Sequence, residues 1–506
     1  MDRIEVARVD PGRVTEVLEA LRGDPRVEQA EPNHVYHALY EPNDPRFKEQ
    51  WHLQKIRASD AWDVTIGKGV TVAVIDTGVA YEKHRDFFQV EDLAGCSFAK
   101  GFNFLTSDPH GNDDHGHGTH VAGTIAQATN NKIGVAGVAY GCTIMPLKVL
   151  SSQGSGTVAH IAQAIRYAAD NNAKVINMSL GGPFPSRVME QACTYAKSKG
   201  VLIVCAAGNE RRDRVSYPAA YEACVAVSAT GPTDELAFYS NYGDKVAIAA
   251  PGGDKRFGEA GGVLQNSINP ADRTQQGYFS WQGTSMAAPH VAGAAALVMS
   301  LGVAKPDKVL QILQSSARKK DDKRRFGAGI LDCYAAVKKA KSACGWWRLA
   351  LALVMAFLAV RWAGSSVRRP LWPSAGFFVC LVIGSSGLFF LPQLGLSWLP
   401  LSDTLSTGFP QWDVACLGVE RHASPVFYSV AIPLVLAILF MGSAWRRQLL
   451  AGFSVGVGAH LAHAALFALG DAQGSLGQNV IWLLANSALC LLLGRVLLKS
   501  LARDAR

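Results

Sequence analysis

The sequence has few cysteines, a modest share of charged residues and no long apolar run near its N-terminus. Ten cysteines in 506 residues are too few for a disulfide scaffold, so a packed apolar core must hold the fold. Much of the net charge of +8 sits in short clusters beside apolar runs, which favours membrane lipid over nucleic acid as a partner. The opening segment MDRIEVARVDPGRV carries no secretory signal.

Seven of the ten cysteines lie before residue 345. If that part of the chain is exported, a disulfide can form there, and we expect Cys96 to pair with Cys142 because each stands at the start of a predicted strand. Buried, reduced thiols are the alternative.

The composition changes near residue 345 and divides the chain into three parts. Residues 1–41 show a strand–helix–strand pattern, and a Pro- and Asn-rich linker follows. Residues 42–343 alternate short apolar runs with helical stretches, whereas residues 344–506 are almost free of charge. We therefore predict a small α+β segment, a large α/β domain and an all-α membrane region.

The apolar runs of the middle part are rich in Val and Ile and mostly do not alternate with polar residues. They include VTVAVID, TIMPLKVL, AKVINMSLG, VLIVCAAGN, CVAVSAT and VAIAAPG. Such runs are typical of strands buried on both faces, so the pattern predicts a doubly wound, mostly parallel sheet with helices on each side. Ligands of such sheets bind at the carboxyl ends of the strands.

Three segments place chemically capable side chains at such positions. VTVAVID ends on Asp76, HGHGTHVAG offers His117 and two further histidines, and GTSMAAPHVAG places Ser285 just before a helix. Taken singly, an Asp after a strand is usually a turn residue and a Ser before a helix is usually an N-cap.

Together the three motifs, in the order Asp, His, Ser, resemble those of the subtilisin-like serine proteases over residues 50–343. The resemblance implies that Ser285 is the nucleophile of a serine endopeptidase, that His117 is its base and that Asp76 orients the imidazole. His115 and His120 are then bystanders. A zinc site formed by the three histidines is the alternative, with Asp113 and Asp114 as its support.

The resemblance also implies an oxyanion hole and a peptide-binding groove. Asn209, after VCAAG, and the backbone N–H of Ser285 would hold the oxyanion. One wall of the groove would be an edge segment that pairs with the main chain of a protein or peptide substrate, and the other would line a specificity pocket. The first wall comprises Ser179, Leu180 and Gly181, and the second comprises Ala206, Ala207 and Gly208.

The loop ATNNKIGV resembles a calcium-binding loop of the same family. An all-oxygen shell suits Ca²⁺ rather than Zn²⁺, and a loop held by its own hydrogen bonds is the alternative. The resemblance implies the carbonyl oxygens of Thr129, Ile133 and Val135 and the side chains of Asn131, Gln50 and Asp86 as ligands.

Residues 1–40 resemble the second half of the family's inhibitory propeptide, which would occupy the groove until self-cleavage after Tyr40. A complete propeptide and a signal peptide would precede this segment. We therefore expect an export signal encoded upstream of Met1; a cytoplasmic chain or a propeptide that assists folding less are the alternatives.

Five apolar stretches, at about 346–362, 375–391, 426–442, 449–469 and 479–498, approach the length that a bilayer requires. With five spans, the basic connections all fall on one side, so we predict a cytoplasmic basic side and an exported protease domain. His460 and His463 lie inside one stretch and are either functional or packed between helices.

The sequence thus predicts a calcium-stabilised serine endopeptidase held in the cell membrane of a bacterial envelope. Two alternatives stay open. One is a catalytically inactive protein that binds peptides in the same groove, and the other is a membrane sensor or transporter that its protease regulates.

Overall fold

The computed structural model describes residues 9, 13–31, 41–365, 372–394, 396, 401–418, 424–469 and 477–504. In the N-terminal segment it contains helix α1 (Val14–Arg22), where a helix was predicted. Most of the first predicted strand lies outside the described residues, as does Tyr40. Of the second predicted strand, residues 27–31 are described and form no strand.

A parallel sheet forms the centre of residues 41–345, which we call the α/β domain. The spatial order of its strands is β2-β4-β1-β5-β6-β7-β8, with β3 beside β4, and every pair is parallel. The predicted doubly wound fold is therefore confirmed. The strands are β1 (Thr71–Asp76), β2 (Ser97–Phe98), β3 (Phe102–Asn103), β4 (Thr143–Lys148), β5 (Val175–Met178), β6 (Leu202–Ala206), β7 (Cys224–Thr230) and β8 (Val246–Pro251).

The central strands are buried on both faces, which explains why their sequences do not alternate. In β1, Val72 and Val74 join one apolar cluster while Ala73 and Ile75 join another on the opposite face. Successive side chains of a strand point to opposite faces, so both sets must be apolar when helices cover both sides.

Helices cover the two faces of the sheet, and a separate antiparallel hairpin, β9 (Val263–Ile268) with β10 (Gln276–Trp281), lies beside it. Helices α4 and α7 contribute to the first cluster, whereas α5 and α6 contribute to the second. The helices are α2 (Trp51–Lys55), α3 (Ala58–Trp62), α4 (His117–Ala126), α5 (Val158–Asp170), α6 (Arg187–Ser198), α7 (Thr284–Ser300), α8 (Pro306–Ser316) and α9 (Lys323–Phe326).

Small residues let α7 approach its neighbours closely. A Cβ on Gly293 would lie 2.7 Å from the Cβ of Val138, so a larger residue there would push the helix away. All of α7 from Met286 to Met299 is buried, which fixes the helix whose first turn carries Ser285.

The described residues between 346 and 504 form a helical bundle, which we call the membrane bundle. Its first helix, α10, begins in the α/β domain and continues into the bundle, so the predicted boundary at residues 343–344 falls inside a helix rather than in a linker. The helices are α10 (Cys333–Gly364), α11 (Ala375–Ser385), α12 (Ser402–Leu405), α13 (Trp412–Leu417), α14 (Ala431–Phe440), α15 (Ala444–Leu469) and α16 (Gly477–Asp504).

Among the described residues, three helices rather than five are long and apolar enough to cross a membrane, namely α10, α15 and α16. Helices α11 and α14 have only 11 and 10 residues. The chain turns after Ser385 because Gly387 takes a φ of +63° and packs so closely on Thr407 that a Cβ would meet its carbonyl oxygen at 2.1 Å. Within the described residues, the five predicted apolar stretches thus correspond to three helices long enough to span a membrane and two short apolar helices.

The two cysteines that were expected to pair are unbridged. The Sγ of Cys96 donates to the carbonyl oxygen of Ala126 at 2.9 Å, and Cys142 packs in the apolar core. The disulfide prediction is therefore wrong for this structure, and the alternative of reduced, buried thiols holds.

Candidate active site

Asp76 and His117 form the best-defined polar contact at the carboxyl edge of the sheet. Asp76 ends β1 and is fully buried, and its Oδ1 lies 2.7 Å from Nδ1 of His117. The same oxygen accepts the N–H of Thr77 at 2.8 Å. Because a carboxylate can only accept, the imidazole carries its proton on Nδ1, which leaves Nε2 as a base.

The environment of His117 favours its protonated form. Burial lowers the pKa of the imidazole, but the charge and the hydrogen bond of Asp76 outweigh burial, so the pKa of His117 is raised above its usual value. The ring keeps 22% of its side-chain surface exposed and is therefore open to a substrate. Such a group is suited to take up a proton and hold it.

Ser285 lies in the first turn of α7 and is clasped to the segment that follows β5. Its Oγ donates to the carbonyl oxygen of Ser179 at 3.1 Å, and the Oγ of Ser179 donates to the carbonyl oxygen of Ser285 at 2.7 Å. Asn177 braces Ser179 in turn, with Nδ2 3.0 Å from its Oγ. These bonds fix the hydroxyl of Ser285 beside the predicted substrate edge.

Asn209 is oriented by the residue before Ser285. Its Oδ1 accepts both the backbone N–H and the hydroxyl of Thr284, each at 2.8 Å. Since the oxygen is held in this way, the NH₂ group is directed away from Thr284, and Nδ2 lies 3.6 Å from the position of a Cβ on Gly283. The structure therefore brings a side-chain donor to the start of α7, beside Ser285.

The two predicted walls of the groove differ in how much side chain they expose. Leu180 is half-buried and Gly181 is exposed, and the next residue, Gly182, pairs with Tyr217 in an antiparallel bridge. Ala206 and Ala207 are buried, so they lie beneath the second wall rather than on its surface.

Gly208 is the residue of that second wall that reaches the surface. It has a φ of +111°, and a Cβ there would meet Nδ2 of Asn241 at 2.2 Å. Glycine is therefore required at this point of the wall.

The two other histidines of the motif have separate roles. Nδ1 of His115 accepts the backbone N–H of His117 at 3.3 Å. His120 is buried, and its Nε2 lies 3.1 Å from the carbonyl oxygens of both Val263 and Phe279. The three imidazoles do not converge on one ligand position, and the part of the chain that the structure describes holds no cluster of metal-binding side chains.

Two of the predicted calcium ligands are engaged elsewhere. The carboxamide of Gln50 is buried and bonds to the backbone N–H and carbonyl of Ala136, at 2.7 and 2.9 Å. Asp86 is exposed in a turn closed by the pairing of His84 with Phe87. Gln50 therefore reaches the end of the loop with its side chain already bonded to the backbone, whereas Asp86 has no described contact with the loop.

Two aspartates that were not predicted as ligands contact the loop instead. Asp44 accepts the backbone N–H groups of Asn130 and Asn131, and Asp92 accepts that of Val135 at 2.9 Å. Nδ2 of Asn131 also donates to Asp92 at 2.7 Å. Asp44 follows Asn and precedes Pro, which reads as a turn, and nothing near Asp92 in the sequence signals a ligand.

The loop and its aspartates fit a hard cation. Burial raises the pKa of Asp92 to about 7 in spite of its hydrogen bonds, so its ionised form would gain from a positive charge. A Cβ on Gly134 would meet Oδ2 of Asp92 at 2.4 Å, so only glycine lets the loop close over this carboxylate. The loop also carries Thr129, Asn131, Ile133 and Val135, whose oxygens would complete a calcium shell.

Comparisons with known proteins agree with this architecture. The sequence model of the subtilase family matches residues 67–329, and that of a domain of unknown function matches residues 349–505. A thermophilic serine proteinase of Bacillus sp. (strain AK1) is 43% identical over 293 residues, which cover 58% of this chain and 68% of that protein. Thermitase of Thermoactinomyces vulgaris is 42% identical over 264 residues, or 52% of this chain and 87% of that protein.

A solved structure described as a protease from Pseudoalteromonas arctica PAMC 21717 is similar in three dimensions. It is 36% identical and superimposes with a TM-score of 0.54 over 60% of this chain and all of its own.

Proposed function

The chain belongs to the subtilase family and is a serine endopeptidase, and on this basis we propose that Asp76, His117 and Ser285 form its catalytic triad. The observation that carries the proposal is the 2.7 Å contact between Asp76 and Nδ1 of His117, because it leaves Nε2 free to act as a base. The clasp between Ser285 and Ser179 adds a nucleophile beside a peptide-binding edge.

In the proposed reaction a rotation of the Ser285 side chain brings Oγ from Ser179 to Nε2 of His117. Catalytic hydrogen bonds are often formed only when substrate is bound, so the resting contact agrees with this step. Oγ attacks the scissile carbonyl while its proton passes to His117. The imidazolium, stabilised by Asp76, then protonates the leaving amine, and a water molecule releases the acyl group by the reverse route.

The oxyanion formed on attack would be held by Nδ2 of Asn209 and the backbone N–H of Ser285. Thr284 fixes the Asn209 side chain before substrate arrives, so its dipole is oriented in advance and no reorganisation is needed during the reaction. The N-terminal end of α7 adds a favourable partial positive charge.

A protein substrate would bind as an extended strand along Ser179, Leu180 and Gly181, with its main chain paired to the enzyme's. The second wall would be Gly208, backed by Ala206 and Ala207. Residues 1–40 would occupy the same groove as an inhibitory propeptide before a cut after Tyr40. N-terminal sequencing of the active enzyme would then begin at or near Glu41.

We further propose a structural calcium site at the loop between α4 and β4. Asp44, Asp92 and Asn131 would hold the ion with the carbonyl oxygens of Thr129, Ile133 and Val135. Bound Ca²⁺ would supply the positive charge that the buried Asp92 carboxylate favours. The loop would then hold its ends together and thereby brace α4, on which His117 lies.

The membrane bundle would tether the protease to a lipid bilayer. Large apolar side chains on α10, α14 and α16 are exposed, as a surface that faces lipid requires. Helix α10 carries the adjacent Trp346 and Trp347 near one end and Trp362 near the other. The pair and Trp362 are about 24 Å apart along the helix axis, a separation that suits two interfacial belts.

One end of the bundle carries Arg447 and Arg495, whereas Arg348 lies on α10 nearer the α/β domain and bonds to Gln411. Arg447 lies 3.4 Å from Ser500, and the guanidinium of Arg495 stacks 3.9 Å over the ring of Trp362. Positive residues favour the cytoplasm, so we propose that the α/β domain is exported. Proteolysis of intact spheroplasts that removes the α/β domain would support this orientation, and full protection would contradict it.

Hydrolysis of a chromogenic peptide by the detergent-solubilised full chain tests the triad. We expect Ser285→Ala to abolish hydrolysis, with a loss on the order of 10⁶ in kcat. Ser315→Ala is the matched control, because Ser315 lies exposed on α8. Equal activity of the wild type and Ser285→Ala would overturn the proposal.

A further inference from the structure

Trp281 makes a contact with the proposed base that the reaction scheme does not use. It is the last residue of β10 and stands four residues before Ser285. Its ring is nearly parallel to that of His117, with an interplanar angle of 18° and 6.3 Å between ring centroids. It also stacks on His120, at 4.6 Å and 6°. One indole therefore lies along two imidazoles of the same helix, α4.

His120 fixes the plane in which the indole lies. Its Nε2 faces the carbonyl oxygens of Val263 and Phe279, which belong to the two strands of the β9–β10 hairpin. Both are acceptors, so Nε2 carries the proton and the ring is held in one orientation. Because Trp281 ends β10, the same hairpin holds both the imidazole and the indole that stacks on it.

His120 also stays uncharged beside the proposed base. Burial lowers the pKa of His120 to about 3, so it remains neutral across the range in which His117 titrates. A charged imidazole there would repel the imidazolium of His117. A neutral one provides a flat apolar surface that packs the indole without this penalty.

The ring of His117 is therefore constrained in two ways. Asp76 holds its Nδ1 edge, and the indole of Trp281 lies nearly parallel to the ring with 6.3 Å between the centroids. A hydrogen bond at one atom still lets an imidazole tilt about that contact, whereas a parallel aromatic surface limits the tilt. An aromatic face near the ring also attracts a cation electrostatically.

We propose that Trp281 is a positioning residue for His117: it limits the tilt of the imidazole and stabilises the imidazolium that forms when Ser285 loses its proton. The proposal rests on the role of His117 as the base. It also gives His120 a task, which is to hold Trp281 in place.

Other ionisable groups surround His117 and are present in the wild type and in every variant at position 281, although His120 also loses its stacking partner when Trp281 is replaced. Acidic groups face the imidazole from β1 and from the segment before α4, and a buried lysine of β4 contacts that segment and the backbone of Thr77. The ionisable groups are the carboxylates of Asp76 and Asp113, the imidazoles of His115 and His120, and the ion pair of Lys148 with Asp114.

The test compares Trp281→Phe, which keeps an aromatic face, with Trp281→Leu, which keeps apolar bulk without one. The pH dependence of kcat/KM is measured with a small chromogenic peptide on the detergent-solubilised full chain. We expect Trp281→Leu to shift the acidic limb of this pH profile towards lower pH by about half a unit. It should also lower kcat roughly tenfold and leave KM within about twofold of the wild type. Trp281→Phe should retain most of both properties.

Trp281→Met is a second non-aromatic variant, in case Trp281→Leu lowers the melting temperature. The proposal is overturned if both non-aromatic variants keep the wild-type limb and kcat, or if only KM changes, which would make Trp281 a substrate contact. Failure of the proposed triad is distinguishable, because then Ser285→Ala would retain activity whatever stands at position 281.

Discussion

The α/β domain and the membrane bundle use apolar residues in opposite ways. In the α/β domain large apolar side chains are buried on both faces of the sheet, and the buried carboxylate of Asp76 is held by His117. In the bundle the exposed surface is rich in Leu, Val, Phe and Trp, while serines and His460 are buried. The same hydrophobic effect thus predicts a core in water for one region and a lipid-facing surface for the other.

The two regions are also joined without a flexible connection. Helix α10 runs from the α/β domain into the bundle, and the turn after α7 meets α15 directly. A Cβ on Gly302, whose φ is +106°, would lie 3.2 Å from Cε1 of His463 and 3.7 Å from Sγ of Cys344. The helix that carries Ser285 at one end therefore contacts the bundle at the other.

The largest expected effect comes from separating the regions. Deletion of residues 346–506 should move the protein completely from the membrane fraction to the soluble fraction, because every described apolar span is lost or cut. Hydrolysis of a small peptide should continue, since all proposed catalytic groups lie in the α/β domain. Sedimentation of membranes and a peptide assay check both points. Loss of peptide hydrolysis in a folded deletion variant would show that the bundle shapes the active site.

The next effect is confined to catalysis. Asn209→Leu should lower kcat by the amount seen for oxyanion donors in subtilisins themselves, on the order of 10²–10³, with little change in KM. Extraction from the membrane by detergent should stay as in the wild type. An unchanged kcat would remove Asn209 from the oxyanion hole.

Calcium removal should destabilise one region only. We expect a chelator to lower the melting temperature of the α/β domain by about 5–10 °C, because a ligand bound to the native state alone adds a few kcal/mol of stability. The unfolding transition of the bundle should not move. Asp92→Asn should make the first transition insensitive to the chelator, while Asp86→Asn, on the exposed turn, serves as the control. A chelator effect that survives in Asp92→Asn would contradict the site.

Acid should also act first on the α/β domain, through buried histidines outside the bundle. Burial lowers the pKa of His120 to about 3 and that of His290 to about 4, and it holds the pKa of His52 well below its usual value. The unfolded chain binds protons near pH 6.5, so stability present above that pH is lost as the pH falls from about 6.5 towards 4.

Each unit of pKa difference is worth about 1.4 kcal/mol. Denaturant unfolding between pH 7 and 4 measures this loss, and His290→Gln should reduce its slope. The raised pKa values of Asp92 and His117 act in the opposite direction, so the comparison with the variant is the test: a slope unchanged in His290→Gln would contradict the assignment of a neutral His290.

The sequence predicted the sheet and the proposed triad because both depend on local patterns. Val- and Ile-rich runs report burial of a strand on both faces, and the motifs around Asp76, His117 and Ser285 are nearly continuous. The partners of the loop at residues 128–135 were harder to predict because Asp44 and Asp92 reach it from 86 and 43 residues away along the chain. No local pattern records such a contact.

The short lengths of α11 and α14 could not be predicted from the sequence for a different physical reason. Hydropathy sums side chains, whereas α11 ends because the backbone of Gly387 turns against Thr407. The predicted apolar stretch begins at about residue 346, whereas helix α10 begins at Cys333. The first turns of α10 carry lysines, so the composition changes inside one continuous helix. Backbone turns and helix continuity are tertiary properties that composition does not show.

The most direct measurement of the central claim is the covalent labelling of the full-length protein by a fluorophosphonate, followed by peptide mass spectrometry. If the imidazole of His117 activates the hydroxyl of Ser285, the adduct will be found on Ser285 and will form far more slowly in His117→Ala. An adduct elsewhere, or equal rates of labelling with and without His117, would contradict the account.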